Sequence, residues 1–198
     1  FEDLLILKKL DLSCNFIESI NKAAFWNNKN LETLNLENNR IRNLDEFLFS
    51  KSINLNSIIL TGNKLSLLSE QFENLKKLNN IYLSNNNLSI LKFLMSNTLI
   101  LHLRYSKIDF SNFYLFNNLN NLIDLDLSYN KLKSNILMKL NLTKLRNLKR
   151  LVLINVGLNS NDSIKFLDKF DFLEEIDLSE NEFRKDDGKF MENSLNLK

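Results

Sequence analysis

Catalysis would have to rest on few side chains. His102 is the one histidine and Cys14 the one cysteine. His102 could act as a general base, but no nucleophile elbow or oxyanion-hole motif accompanies it. A contact residue pointing out of a sheet is the plainer reading. Cys14 would be a reactive thiol only if cations lowered its pKa, and the pattern offers Lys8 and Lys9 alone. A single cysteine forbids an internal disulfide and a multi-cysteine metal site. The three glycines, Gly62, Gly157 and Gly188, are isolated, so no phosphate or dinucleotide loop is formed. Glu174, Glu175, Asp177 and Glu180 have the charge to attract a cation, but such a run is more often solvated surface. No catalytic residue, metal site or cofactor is expected.

Charge gives as little. The formal net charge of +2 offers no electrostatic reason to expect nucleic acid or an anionic membrane. No apolar run approaches the length of a membrane span. The opening F-E-D-L-L-I-L-K-K-L has neither the basic start nor the cleavage site of a signal peptide. Roughly one residue in six is asparagine, far above average usage. Sequons at Asn87, Asn141 and Asn161 are therefore about what chance supplies.

The elements that must position these residues are repeats. The stretch Leu122 to Leu132, L-I-D-L-D-L-S-Y-N-K-L, recurs eight times, starting at Leu7, Leu31, Leu55, Leu78, Thr98, Leu122, Leu148 and Leu173. The spacing is about 20 to 26 residues. The middle of each copy alternates apolar and polar, the mark of a strand with one buried face. An apolar residue lies six places before most copies: Phe1, Phe25, Phe49, Phe72, Phe116, Leu142 and Leu167. Each unit is one turn of a coil that cannot bury its own apolar edge, so stacked turns share a column of Leu and Phe. The strands pair as a parallel sheet on the concave side, about 38 Å along the arc at roughly 4.8 Å per strand.

The ninth place holds Asn15, Asn39, Asn63, Asn86, Asn130 and Asn181. Each amide is expected to turn inward and bond the backbone where its strand ends. Ser106 and Val156 break this ladder, which predicts irregularity or bound water there. The short unit before the fifth copy predicts a tighter arc near residues 92–98. Return segments should be irregular early and helical later, over S-N-I-L-M-K-L from Ser134 and N-D-S-I-K-F-L-D-K-F from Asn161, with Asn161 or Asp162 as cap.

With L-x-x-L-x-L-x-x-N-x-I/L in phase along nearly the whole chain, the sequence resembles leucine-rich-repeat proteins. The early units, each with a Phe before the next copy, look like the typical class of Toll-like and Slit-type extracellular receptors. V-G-L-N-S-N-D-S-I-K-F-L and the last unit look more like the helix-bearing units of the intracellular ribonuclease-inhibitor class. The resemblance implies an α/β repeat solenoid: one domain over residues 1–198, with a parallel concave sheet and an irregular to short-helical convex side. The cysteine-rich caps of the extracellular class are missing and Leu4 to Leu7 stand at one end, so the chain reads as a fragment of a longer solenoid.

Function then rests on the concave face, formed by the fifth, seventh and eighth places. Its centre gathers Ile59, Tyr82, His102, Arg104, Tyr105, Asp126, Tyr129, Val152 and Ile154, and its ends are polar or acidic. Tyr and Arg most often anchor interfaces, although cross-strand packing alone can also place such residues. The expectation is a non-catalytic recognition module, part of a Toll-like or related receptor, outside the cell or on its surface. Its partner would be a protein, with another ligand open, and no nucleic acid or membrane contact. The alternative is a cytoplasmic adaptor or regulator that docks a protein.

Overall fold

The computed structural model describes residues 1–68, 71–72, 74–88, 90–91, 96–108, 116–132, 137, 139–140, 142–159, 170 and 172–184. Ten short strands are β1 (Lys9–Asp11), β2 (Thr33–Asn35), β3 (Ser57–Ile59), β4 (Leu67–Leu68), β5 (Asn80–Tyr82), β6 (Ile90–Leu91), β7 (Ile100–His102), β8 (Asp124–Asp126), β9 (Arg150–Val152) and β10 (Glu175–Asp177). Eight of them form one sheet in the order β1-β2-β3-β5-β7-β8-β9-β10. Every pairing is parallel and joins like places: Leu34 lies opposite Ile58, Ile81 opposite Leu101, and Leu125 opposite Leu151. Each of the eight strands covers the third to fifth places of its copy. A register slip would turn the fourth-place apolar residue out of the core.

That fourth residue is the buried one: Leu34, Ile58, Ile81, Leu101, Leu125 and Leu151 are all at 0% exposure. The Phe column stacks behind it. Phe1–Phe25 and Phe25–Phe49 are near-parallel at 6.1 Å between centroids, and Phe49–Phe72 follows at 5.9 Å with a 38° tilt. Phe116 and Leu142 continue the column buried, and Leu167 lies outside the described residues. At the first unit Phe1 is 45% exposed and Leu10 and Leu12 are only half-buried. The sheet passes through the short fourth unit with β5 and β7 paired in register.

The return side departs from expectation in one respect. Over L-S-L-L and L-S-I-L, expected to be irregular, β4 and β6 pair as a second, two-stranded parallel sheet. The pairing sets Leu68 beside Leu91, at 2% and 5% exposure, so it stacks two core residues. In the stretch from Ser134, Leu137 and Lys139 have helical backbone and Leu137 is buried. One 3₁₀ turn follows at Leu142–Lys144. The segment from Asn161 with its cap, and the tail beyond residue 184, lie outside the described residues.

Candidate functional site

The asparagine ladder fixes where each strand stops. Asn63 Nδ2 donates to the carbonyls of Leu36 (2.9 Å), Leu60 (3.0 Å) and Thr61 (3.4 Å), and its Oδ1 accepts from Ile41 N at 3.0 Å. Asn39, Asn86 and Asn130 donate to the corresponding three carbonyls of their own and the preceding unit, and Asn181 does the same at the eighth. The broken rungs are repaired by backbone carbonyls, joined at the fifth unit by a hydroxyl. At the fifth unit the Ser106 carbonyl accepts from Leu88 N at 2.8 Å, and the Ser106 hydroxyl lies 3.3 Å from the Leu83 and Arg104 carbonyls. At the seventh, Val156 is 1% exposed, and Leu132 N donates to the Asn130 carbonyl instead. In both units the residue after the broken rung, Lys107 (φ 52) or Gly157 (φ 81), is left-handed.

A second backbone rule was not legible in the pattern. The eighth place is left-handed in all eight units: Cys14, Asn38, Gly62, Asn85, Tyr105, Tyr129, Asn155 and Glu180, with φ between 49 and 69. Asn and Gly tolerate this conformation and account for four of the eight positions. At Gly62 an added Cβ would also lie 2.2 Å from Asn38 Oδ1. Recurrent Asn or Gly at one place was the available signal, and the richness in asparagine hid it.

The left-handed turn presents Tyr105 and Tyr129 side by side. Their rings stack at 4.5 Å with a 14° interplanar angle. The Arg104 guanidinium lies 4.3 Å from the Tyr129 centroid and 5.9 Å from that of Tyr105, within cation–π range. The Tyr129 hydroxyl donates to Glu180 Oε2 at 2.7 Å. That bond, followed by burial and the Glu180 charge, raises the Tyr129 pKa.

A polar line crosses the sheet beside this stack. Tyr82 meets His102 edge to face at 5.1 Å. His102 Nε2 lies 3.2 Å from Asp124 Oδ2, a pair that is ionic only when the imidazole is protonated. Arg150 bridges Asp124 Oδ1 (3.2 Å) and Glu175 Oε1 (2.8 Å). Burial would raise the Asp124 carboxyl, but bonding and charge from His102 and Arg150 outweigh it and hold its pKa below the ordinary value. Burial, then the Asp124 charge, raises Tyr82.

Of the nine expected contact residues, Tyr82, His102, Arg104, Tyr105 and Tyr129 therefore form two adjoining clusters. Tyr105, at 49% exposure, is the most open large apolar side chain of the nine. Ile59 and Ile154 are half-buried on the same face. Asp126 caps its own turn, with Oδ1 accepting from Ser128 N at 2.9 Å. Val152 is 3% exposed, so it packs beneath the surface and offers no contact. The seventh place is not uniformly outward either: Ser84 and Ser128 are buried, and their hydroxyls accept from Arg104 N and Ile154 N.

Asp124, Arg150 and Glu175, all at the third place of their copies, also belong to the site. The acidic group near the C-terminal end is dispersed. Glu174 pairs with Lys149, Glu175 with Arg150, Glu180 with Tyr129, and Asp177 with Ser179. Among the described residues no group of three or more metal-ligating side chains converges, and no helix is long and apolar enough to cross a membrane.

Two family descriptions match the chain. One is "Leucine rich repeat", over residues 1–41 and 29–88, and the other is "BspA type Leucine rich repeat region (6 copies)", over residues 70–165. The chain belongs to the leucine-rich-repeat proteins. Among solved structures it is similar to the receptor in the TLR13–ssRNA13 complex, with 31% identity, a TM-score of 0.77, and coverage of 91% of this chain and 27% of that one. It shares the fold of the Leptospira interrogans leucine-rich-repeat protein LIC12759 at 22% identity and a TM-score of 0.68, covering 98% of this chain and 60% of that one. It also shares the fold of a chain in the Drosophila Toll–Spatzle complex at 23% identity and a TM-score of 0.55, covering 91% of this chain and 23% of that one. No curated protein matches the chain. The leucine-rich-repeat fold, with Toll-like structures among its neighbours, supports a repeat-based recognition module.

Proposed function

We propose that the chain is the recognition segment of a leucine-rich-repeat receptor of the Toll-like kind, displayed outside the cell, and that it binds a protein through the centre of its concave face. One observation carries the reading. Tyr105 and Tyr129 occupy left-handed backbone, where a non-glycine residue costs on the order of 1 kcal/mol. Asn or Gly would satisfy that turn better, as they do in other units. Two tyrosines held there, stacked and covered by Arg104, are poor choices for the fold and good ones for an interface.

TLR13 forms a complex with single-stranded RNA, but the concave face here favours protein. Asp126, Asp177 and Glu180 lie on it with no salt bridge among the described residues, and they repel phosphates. Cys14 favours a second reading, an intracellular adaptor: its thiol is free and exposed, which suits a reducing compartment. The test is affinity capture with the complete protein, followed by titration of the recovered partner. Tyr82→Ala/Arg104→Ala/Tyr105→Ala should weaken binding by more than about tenfold, since one central hot spot is worth about 2 kcal/mol or more. Equal affinity for the wild type and this variant would overturn the concave-face reading. Recovery from cytosolic extract alone would favour the adaptor.

A further inference from the structure

The two lips of the arc differ in charge. The tenth place, on the lip where the strands end, holds Arg40, Lys64, Asn87, Lys107 and Lys131 in the second to sixth units. All five are exposed. From the eighth to the eleventh place of those units the sequence contains no acidic residue. Among the described residues none of the four cations makes a salt bridge, and Arg40 instead lies 4.6 Å over the Phe16 ring. A groove of about 580 Å³ opens on this lip, lined in part by Arg42, Lys64 and Asn87.

The opposite lip is compensated in part. Lys8 pairs with Glu32 at 2.9 Å and Lys149 with Glu174 at 2.6 Å, while Lys77 donates to Asn54 Oδ1 at 2.6 Å. On one edge four cations have no acidic partner among the described residues, while on the other, two of the lysines are ion-paired.

We propose that this lip is a docking track for an acidic, extended segment of the protein partner, its carboxylates reaching Arg40, Lys64, Lys107 and Lys131 in turn. Rungs stand about 4.8 Å apart at the strands, and side chains on one face of an extended peptide repeat every 6.6 to 6.8 Å or so. Neighbouring and next-but-one rungs bracket that repeat, and long flexible side chains take up the difference. Single-stranded nucleic acid fits less well, because bases need open aromatic faces. Tyr105 and Tyr129 turn theirs on each other, and Arg104 covers the Tyr129 ring. This rests on the reading of the chain as a protein-recognition module, but on a different set of side chains.

The test is fluorescence anisotropy with two labelled probes of equal charge, an oligoglutamate peptide and an oligouridylate. The wild-type chain should bind oligoglutamate, more weakly as salt is raised. Arg40→Gln/Lys64→Gln/Lys107→Gln/Lys131→Gln should lose at least about tenfold. Lys8→Gln/Lys29→Gln/Lys77→Gln/Lys149→Gln, an equal change of charge on the other lip, where exposed Lys29 accepts from Asn54 Nδ2 through its carbonyl, should lose little. Absence of oligoglutamate binding, or equal losses in the two variants, would overturn the proposal. So would tighter binding of oligouridylate that Tyr105→Ala/Tyr129→Ala abolishes, which would mark a nucleic-acid surface. The concave-face variant separates the two readings: partner affinity unchanged there, with oligoglutamate lost only on the lip, sinks the concave reading and leaves this one standing.

Discussion

Replacing Asn63 by Ala tests whether the inward asparagines hold the coil together. Asn63 is 7% exposed and makes four hydrogen bonds. Their loss is unequal. The Leu36 carbonyl keeps a bond from Asn39 Nδ2 at 3.0 Å, and the Leu60 carbonyl keeps one from Asn86 Nδ2 at 3.0 Å. Those carbonyls lose a second partner, at about 0.5 kcal/mol each. The Ile41 N–H is the group left unsatisfied, in a residue at 0% exposure, and a buried orphan donor costs about 1–3 kcal/mol.

The expected loss is thus about 3 kcal/mol. Asn15→Ala is the internal control. Asn15 is exposed, and the Leu12 carbonyl it bonds is also held by Asn39 at 2.9 Å, so it should cost about 0.5 kcal/mol. Because repeat arrays can unfold in parts, the decisive assay is native-state hydrogen exchange at the Ile41 amide, with urea unfolding beside it. Equal costs for the two variants, or unchanged protection of Ile41, would refute the ladder as a source of stability.

Two further outcomes follow from the same geometry. Cys14→Gly removes a Cβ from left-handed backbone (φ 56) at an exposed position. Relief of about 1–2 kcal/mol exceeds the roughly 0.5–1 kcal/mol that glycine adds to unfolded-state entropy. The melting temperature should therefore rise, and a fall would contradict the strain assigned to the eighth place. Asp124 has a folded pKa below its unfolded value, so its contribution is present above the unfolded pKa and lost as pH falls through the folded one. Stability should decline on acidification below about pH 4, less steeply in Asp124→Asn; identical acid profiles would show that the His102–Asp124–Arg150 line contributes nothing.

The fold was legible because it is written many times over. Eight phased copies fix the strands, their register and the Phe column, since each repeat must bury the same edge. The small sheet formed by Leu67–Leu68 and Ile90–Leu91 was not legible, because two adjacent apolar residues carry no periodicity that separates a strand from irregular chain. The site was half legible. Period-two reasoning put Tyr82, His102, Arg104, Tyr105 and Tyr129 on one face. It also put Val152 and Ser128 there, although neighbouring strands cover both. Tertiary burial across strands is not a property of one copy. Asp124 and Arg150 were missed for the same reason, since their partners come from other units.

Fold and sequence disagree most in the fifth to seventh units. There the eighth place carries two tyrosines, the ninth loses its asparagine at Ser106 and Val156, and left-handed backbone extends to Lys107 and Gly157. A chain selected for the ladder alone would hold Asn at every rung, and four neighbouring units of this one do so in succession or nearly so: Asn39, Asn63, Asn86 and Asn130 are all buried and multiply bonded. The repairs in the exceptional units use backbone carbonyls, with the Ser106 hydroxyl in the fifth, where side-chain amides serve elsewhere, while their turns change shape. Tyr105 and Arg104 sit immediately before one such altered turn. Natural sequences keep local and global preferences in agreement except where another demand overrides them. The broken rungs fall on the fifth unit, which carries Tyr105, and on the seventh, which follows the unit of Tyr129, so they flank the stacked pair where the proposed partner would meet the arc.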